Sequence, residues 1–262
     1  MTNLLTRLAV VAAGLPIVLG AAWQGGWFLL VAVLIAALVA LHELYRMARS
    51  LRPLVLAGYG GAAGALLGAQ LGDANWMLGG FLLVFPLAFL FAAVSETRQS
   101  TTVAIGTTVL GAAWIGLGLG HLVLLRRLPD AGADAILALL LTVFATDTLA
   151  YVGGRLAGRH RMTPVMSPGK TWEGFVVGAL AGVATAFVVL YETEYGGTTS
   201  VVFGITVVLA ATSGDLFESL LKRDLGTKDT GRILLGHGGV LDRVDSLLFA
   251  APAGLYVLLA LT

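Results

Sequence analysis

The chain has 262 residues and no cysteine, with 58% hydrophobic and 12% charged residues, a mean hydropathy of +0.91 and a formal net charge of +1. Soluble domains carry roughly a quarter charged residues, so a water-soluble globule is excluded, as are disulfide and thiolate chemistry. A balance this close to neutral gives no ground for a nucleic-acid partner.

Charge is costly in hydrocarbon and the backbone there must satisfy its own hydrogen bonds. The composition therefore predicts an all-α polytopic membrane protein. Nine stretches approach the ~20 apolar residues a helix needs to cross a bilayer: 8–22, 27–45, 53–72, 76–94, 103–125, 135–154, 174–191, 200–221 and 244–261. The first is short and interrupted by Gly14 and Pro16, and a cleaved leader is the alternative reading there. The second closes on His42, Glu43 and Tyr45, read as a snorkelling interfacial patch. Trp23, Trp27 and Trp76 stand near span ends, as interfacial anchors do. The 35 glycines scattered through apolar runs suit close helix–helix approach.

With the N-terminus inside, 14 of the 16 Lys and Arg residues fall on the cytoplasmic side, and only Arg126 and Arg127 do not. This is the positive-inside pattern. It places the C-terminus on the opposite side and the two long polar connections, 155–173 and 222–243, in the cytoplasm. The chain divides into 1–132, five scaffold spans offering lipid access and a dimer face, and 133–262, four spans carrying the polar loops.

Along the sixth span, Asp147 is an intramembrane ionisable residue and so a functional candidate by default, or a partner for Arg155 or Arg243. The stretch "SPGKTWEG", 167–174, contains Gly-Lys-Thr, but neither Pro164 nor Val165 supplies the first glycine of a phosphate-binding P-loop. Glu173 reads as a charge at a helix N-terminus. No GxGxxG follows a plausible strand, and HExxH and GxSxG are absent.

Residues 215–245 break the apolar pattern with six carboxylates and five basic side chains. On a helix, Asp215, Glu218, Ser219 and Lys222 share one face, and Asp242 and Asp245 stand one turn apart. Both helix ends thus point carboxylates toward one cytoplasmic region, joined by a loop in which Gly236, Gly238 and Gly239 flank His237. Carboxylates together with Lys and Arg suit a metal-bound polyphosphate, since Asp oxygens hold Mg²⁺ and the cations neutralise phosphate oxygens. The alternative is a solvated loop whose charges pair with one another.

Ser219, Lys222-Arg223, Lys228-Asp229, Gly231, His237-Gly238-Gly239, Asp242-Arg243 and Asp245 resemble the C-terminal signature of the phosphatidate cytidylyltransferases (CDP-diacylglycerol synthases). "TDTLAYVGGRLAG", 146–158, and "SPGKTWEG" resemble that family's middle segments, and the nine-span layout is similar to that of its bacterial members. The chain departs from the pattern at Leu235, where the family usually has proline, and at Gly169, where it often has a second lysine.

The resemblance implies transfer of a cytidylyl group from CTP to phosphatidic acid in the inner membrane by a homodimer. It implies that Asp215 and Asp242 bind Mg²⁺, with Asp229 and Asp245 as neighbours or further ligands and a second cation such as K⁺ as an option. Lys222, Arg223, Lys228 and Arg243 would then bind CTP or lipid phosphate. Ser167, Lys170 and Ser219 would add phosphate contacts, and His237 with Gly238 and Gly239 would bind phosphate or organise the loop, a base or metal-ligand role for His237 being the alternative. A different lipid-phosphate acceptor and an ion-coupled transporter are the competing readings. The concentration of charge in two loops, rather than along the spans, favours the enzyme.

Overall fold

The computed structural model describes residues 14, 16–94, 100–227, 230–231 and 238–261. Its helices are α1 (Gly26–Met47), α2 (Val55–Leu71), α3 (Ala74–Val94), α4 (Thr101–Arg126), α5 (Gly132–Ala157), α6 (Trp172–Leu190), α7 (Thr198–Asp224) and α8 (Leu241–Leu261). Among the described residues, all of these except the shorter α2 are long and apolar enough to cross a membrane, which makes seven candidate spans. The chain is an all-α polytopic membrane protein. Each expected span from 27–45 onward falls on one of these helices, and most of 8–22 lies outside the described residues. The 155–173 connection contributes one element that composition did not suggest. It is a small antiparallel hairpin of β1 (Arg161–Thr163) and β2 (Ser167–Thr171), pairing Arg161 with Thr171 and Thr163 with Ser167.

The chain packs as two compact units, one running to Leu124 and taking in Leu225–Val244, the other Leu125–Asp224 with Asp245–Thr262. In the first, the Tyr45 hydroxyl of α1 donates to Thr108 O of α4 at 2.7 Å. The Thr108 hydroxyl in turn donates to Ala104 O and accepts from the Leu54 amide, both at 2.7 Å. A methyl group on Gly111 would lie 2.6 Å from the Tyr45 ring, so that glycine clears room for the aromatic. Helix α4 widens into a π turn over Ala112–Leu117. Asp73 caps α3, accepting from Asn75 N at 2.8 Å and Trp76 N at 3.2 Å.

In the second unit, α5 and α6 meet backbone to backbone. Methyl groups on Gly174 and Gly178 would each come within 2.6 Å of a carbonyl oxygen, Ala150 O and Thr146 O respectively. With Gly182 packed on the Thr146 hydroxyl, glycines at four-residue spacing form one contact line. Lipid gives helices little hydrophobic reason to associate, so such small residues supply the packing instead. Trp23, Trp27 and Trp76 are all exposed, in keeping with the interfacial reading.

Candidate active site

The second unit gathers most of the expected polar residues it contains. A methyl group on Gly214 would lie 2.5 Å from Asp245 O, so α7 and α8 touch there along their backbones. The Phe217 and Phe249 rings pack one turn on, with centroids 5.4 Å apart. This approach brings Glu218 of α7 against Asp245 of α8. Buried Asp245 is hydrogen-bonded to Glu218, accepts from the Ser246 amide at 2.7 Å, and lies within electrostatic reach of Asp215 and Asp147. Lys222 Nζ donates to Glu218 Oε2 at 2.7 Å, and Lys170 Nζ pairs with Asp215 Oδ2 at 2.6 Å.

Lys170 reaches Asp215 because the hairpin is held in place at its base. Glu173, in the first turn of α6, accepts from Arg159 N at 3.0 Å and from His160 N at 3.2 Å, and its other oxygen pairs with His160 Nδ1 at 2.6 Å. The Trp172 amide donates to His160 O at 2.9 Å, and the Thr171 hydroxyl caps α6 by accepting from Gly174 N at 3.2 Å. From α7, Arg223 Nε donates to Met166 O at 3.2 Å and ties down the hairpin turn. Glu173 is thus more than a helix-terminal charge: its carboxylate closes the loop that carries Ser167 and Lys170.

The first unit holds the remaining loop. Asp242, in the first turn of α8, reaches back so that its Oδ2 accepts from Gly239 N at 2.7 Å and Thr230 N at 3.4 Å. Gly238 has φ of +78° and a methyl group there would stand 2.5 Å from Asp242 Oδ2, so the position calls for glycine on both counts. Glu43 overturns the snorkelling reading of its patch. At 1% exposure it is buried, and its Oε2 accepts from the Leu241 amide at 2.8 Å and the Thr230 hydroxyl at 3.4 Å. Tyr45 is buried too, while His42 is exposed.

Of the expected site residues, Lys222 and Asp245 are joined through Glu218, a residue the sequence only places on the same helix face. Lys170 is paired with Asp215, which lies within electrostatic reach of Asp245, and Arg223 is bonded to the hairpin at Met166 O. Ser167 opens β2, Ser219 is half-buried on α7, and Arg243 is exposed in the first turn of α8. Asp147 is exposed on α5. Lys228, Asp229 and His237 lie outside the described residues.

Among the described residues, no group of three or more His, Cys, Asp or Glu side chains is gathered as a closed metal cage. Mg²⁺ does not require one, since one or two carboxylates hold it while water and substrate phosphate complete its shell. An ammonium already sits on Asp215 at 2.6 Å, so the position attracts a cation. The hard-oxygen donors present fit the ion.

A model of the cytidylyltransferase family matches residues 5–261. The chain belongs to that family. Among its relatives, the phosphatidate cytidylyltransferase of Mycobacterium bovis is 36% identical over 259 residues, covering 88% of this chain and 80% of that protein. The phosphatidate cytidylyltransferases of Staphylococcus saprophyticus and Staphylococcus aureus are 34% and 33% identical over 254 and 255 residues, and each comparison covers 95% of both chains. The family match extends through the apolar N-terminal third as well as the charged C-terminal segments.

Proposed function

We propose that this chain is an integral-membrane phosphatidate cytidylyltransferase, converting CTP and phosphatidic acid into CDP-diacylglycerol and pyrophosphate. The observation that carries this reading is the coincidence of a family match over 5–261 with the lysine–carboxylate network around Asp215. A lipid phosphate oxygen bonds to the α-phosphorus of CTP. The bond from that phosphorus to the bridging oxygen breaks, and pyrophosphate leaves with the electron pair. The nucleophile is already an anion, so the barrier lies in bringing two polyanions into line.

Lys170, Lys222, Arg223, Lys228 and Arg243 neutralise and orient phosphates, Ser167, Ser219 and His237 donate to them, and Gly238 and Gly239 allow close approach. Asp215, Asp242, Asp229 and Asp245 are the Mg²⁺-binding carboxylates, with K⁺ as a second cation. Bound there, the metal would screen phosphate charge in the in-line displacement. The enzyme has nine spans, with residues 1–132 as scaffold and 133–262 carrying the catalytic loops. It works as a homodimer in the inner membrane, with its N-terminus and active site on the cytoplasmic side and its C-terminus on the other. Phosphatidic acid stays in the leaflet while CTP is cytosolic, and a site at that boundary meets both.

The test is detergent-purified protein with radiolabelled CTP, Mg²⁺ and a panel of lipid phosphates, scored for lipid-soluble label. Label appearing with phosphatidic acid is the expected result. Label only with an isoprenoid or archaeal-type ether-lipid phosphate would reassign the acceptor, and none with any lipid would overturn the reading.

A further inference from the structure

Glu43 contributes to none of the motifs that point to the reaction, yet it is a buried carboxylate at the cytoplasmic end assigned to α1. Its surroundings come from the 225–244 segment. One foot of that segment offers the Thr230 hydroxyl and the other the Leu241 amide, both donating to Glu43 Oε2. Two signature glycines complete the socket. A methyl group on Gly231 would stand 2.5 Å from Glu43 Oε1 and 3.0 Å from Cδ, and one on Gly239 would collide with Oε2 and with the Thr230 hydroxyl. Asp242 then bridges the same two feet, through Gly239 N and Thr230 N.

We propose that Glu43 is the positioning residue of this loop, a fixed acceptor on α1 that ties both ends of 230–241 together and thereby sets where Asp242 stands. The proposal rests on the phosphatidate cytidylyltransferase reading for its kinetic consequence only. A buried acceptor cannot trade its hydrogen bonds for water, so donors that lose it are left unsatisfied. Loss of the anchor lets the loop ends separate, and a displacement of about 1 Å in a catalytic group costs on the order of a hundredfold in rate. The same contacts explain why the signature has glycine at 231 and 239: any side chain there would displace the carboxylate.

The test compares Glu43→Ala and Glu43→Gln with Leu41→Ala, a cavity variant at a fully buried position of the same helix. The full-length protein is used, and kcat, the KM for CTP and thermal stability are measured. The expected result is a fall in kcat of about a hundredfold in Glu43→Ala, a smaller fall in Glu43→Gln, which keeps one oxygen acceptor, and near-normal kcat in an equally destabilised Leu41→Ala. Gly231→Ala should also lower kcat, and combining it with Glu43→Ala should add little, because the clash requires the carboxylate. Equal kcat losses in Glu43→Ala and Leu41→Ala at matched stability, or full additivity of the Gly231 and Glu43 changes, would overturn the proposal.

A readout independent of activity is amide hydrogen exchange across 225–244. Glu43→Ala should speed exchange at Thr230, Gly239 and Leu241, and Leu41→Ala should not. Unchanged exchange in Glu43→Ala overturns the anchor even if the protein proves to act on another lipid. Faster exchange in a protein that makes no CDP-lipid keeps the anchor and removes the enzyme reading.

Discussion

The Lys170 ammonium at the end of a β-hairpin rests 2.6 Å from the Asp215 carboxylate on α7, and both side chains are partly open to solvent. A half-buried pair of this kind contributes on the order of 1 kcal/mol to stability. On the proposed function the same pair places a phosphate-binding lysine beside a metal-binding carboxylate.

Lys170→Met should therefore leave thermal stability within about 1 kcal/mol of wild type while raising the KM for CTP roughly tenfold, the loss of one charge-assisted phosphate contact. Steady-state kinetics beside a melting curve in detergent separates the two. A large stability loss with unchanged KM would make the pair a structural strut.

Asp215→Asn and Asp242→Asn should each abolish Mg²⁺-dependent CDP-lipid formation, read by incorporation of labelled CTP across a Mg²⁺ titration. The two should differ in structure. Asp242 also holds Gly239 N and Thr230 N, so its replacement should loosen 230–241 to proteolysis, whereas Asp215→Asn should leave that segment intact. Near-normal turnover in either variant at modest Mg²⁺ would remove that residue from the metal site.

Glu173→Ala deprives the Arg159 and His160 amides of their acceptor and removes the side-chain hydrogen bond with His160. The hairpin should fray, with new protease cleavage in 159–166 and a drop in kcat/KM of about tenfold, since Lys170 and Ser167 lose their fixed platform. Limited proteolysis followed by mass spectrometry locates the cut.

Gly178→Val inserts a branched side chain where a single methyl group would already lie 2.6 Å from Thr146 O. Overpacking at such a contact costs about 1–3 kcal/mol, and here the helices would have to part along their length. The expected result is a clear drop in melting temperature together with loss of activity. A matched change at Gly169, where open space surrounds the backbone, should have little effect on stability.

The apolar helices are legible because a long apolar run has few alternatives in a bilayer; α1 to α8 fall on expected stretches, and among the described residues seven of them, all but the shorter α2, are long and apolar enough to cross. Lys170 and Asp215 were each singled out, but their pairing depends on a hairpin too short to leave a period in the sequence. Glu43 was misread for a related reason. By sequence it is a polar residue ending an apolar helix, and its partners Thr230 and Leu241 lie 187 and 198 positions away. Two signals were available. An ionisable residue at the edge of a span is a functional candidate by default, and glycines at 231 and 239 implied that something approached the backbone closely. Glu218 was placed on the correct helix face, but its bond to Asp245 depended on how α7 meets α8.

The long reach from Glu43 to Leu241 also bears on biogenesis. At translation rates of about 5–20 residues per second, the carboxylate is synthesised roughly ten to forty seconds before the amide that will bind it. Throughout that interval the nascent chain carries an acidic group whose native donors do not yet exist, and insertion has to tolerate it. A product cut short before residue 230 would never acquire those donors. That leaves a polar flaw in an otherwise greasy bundle.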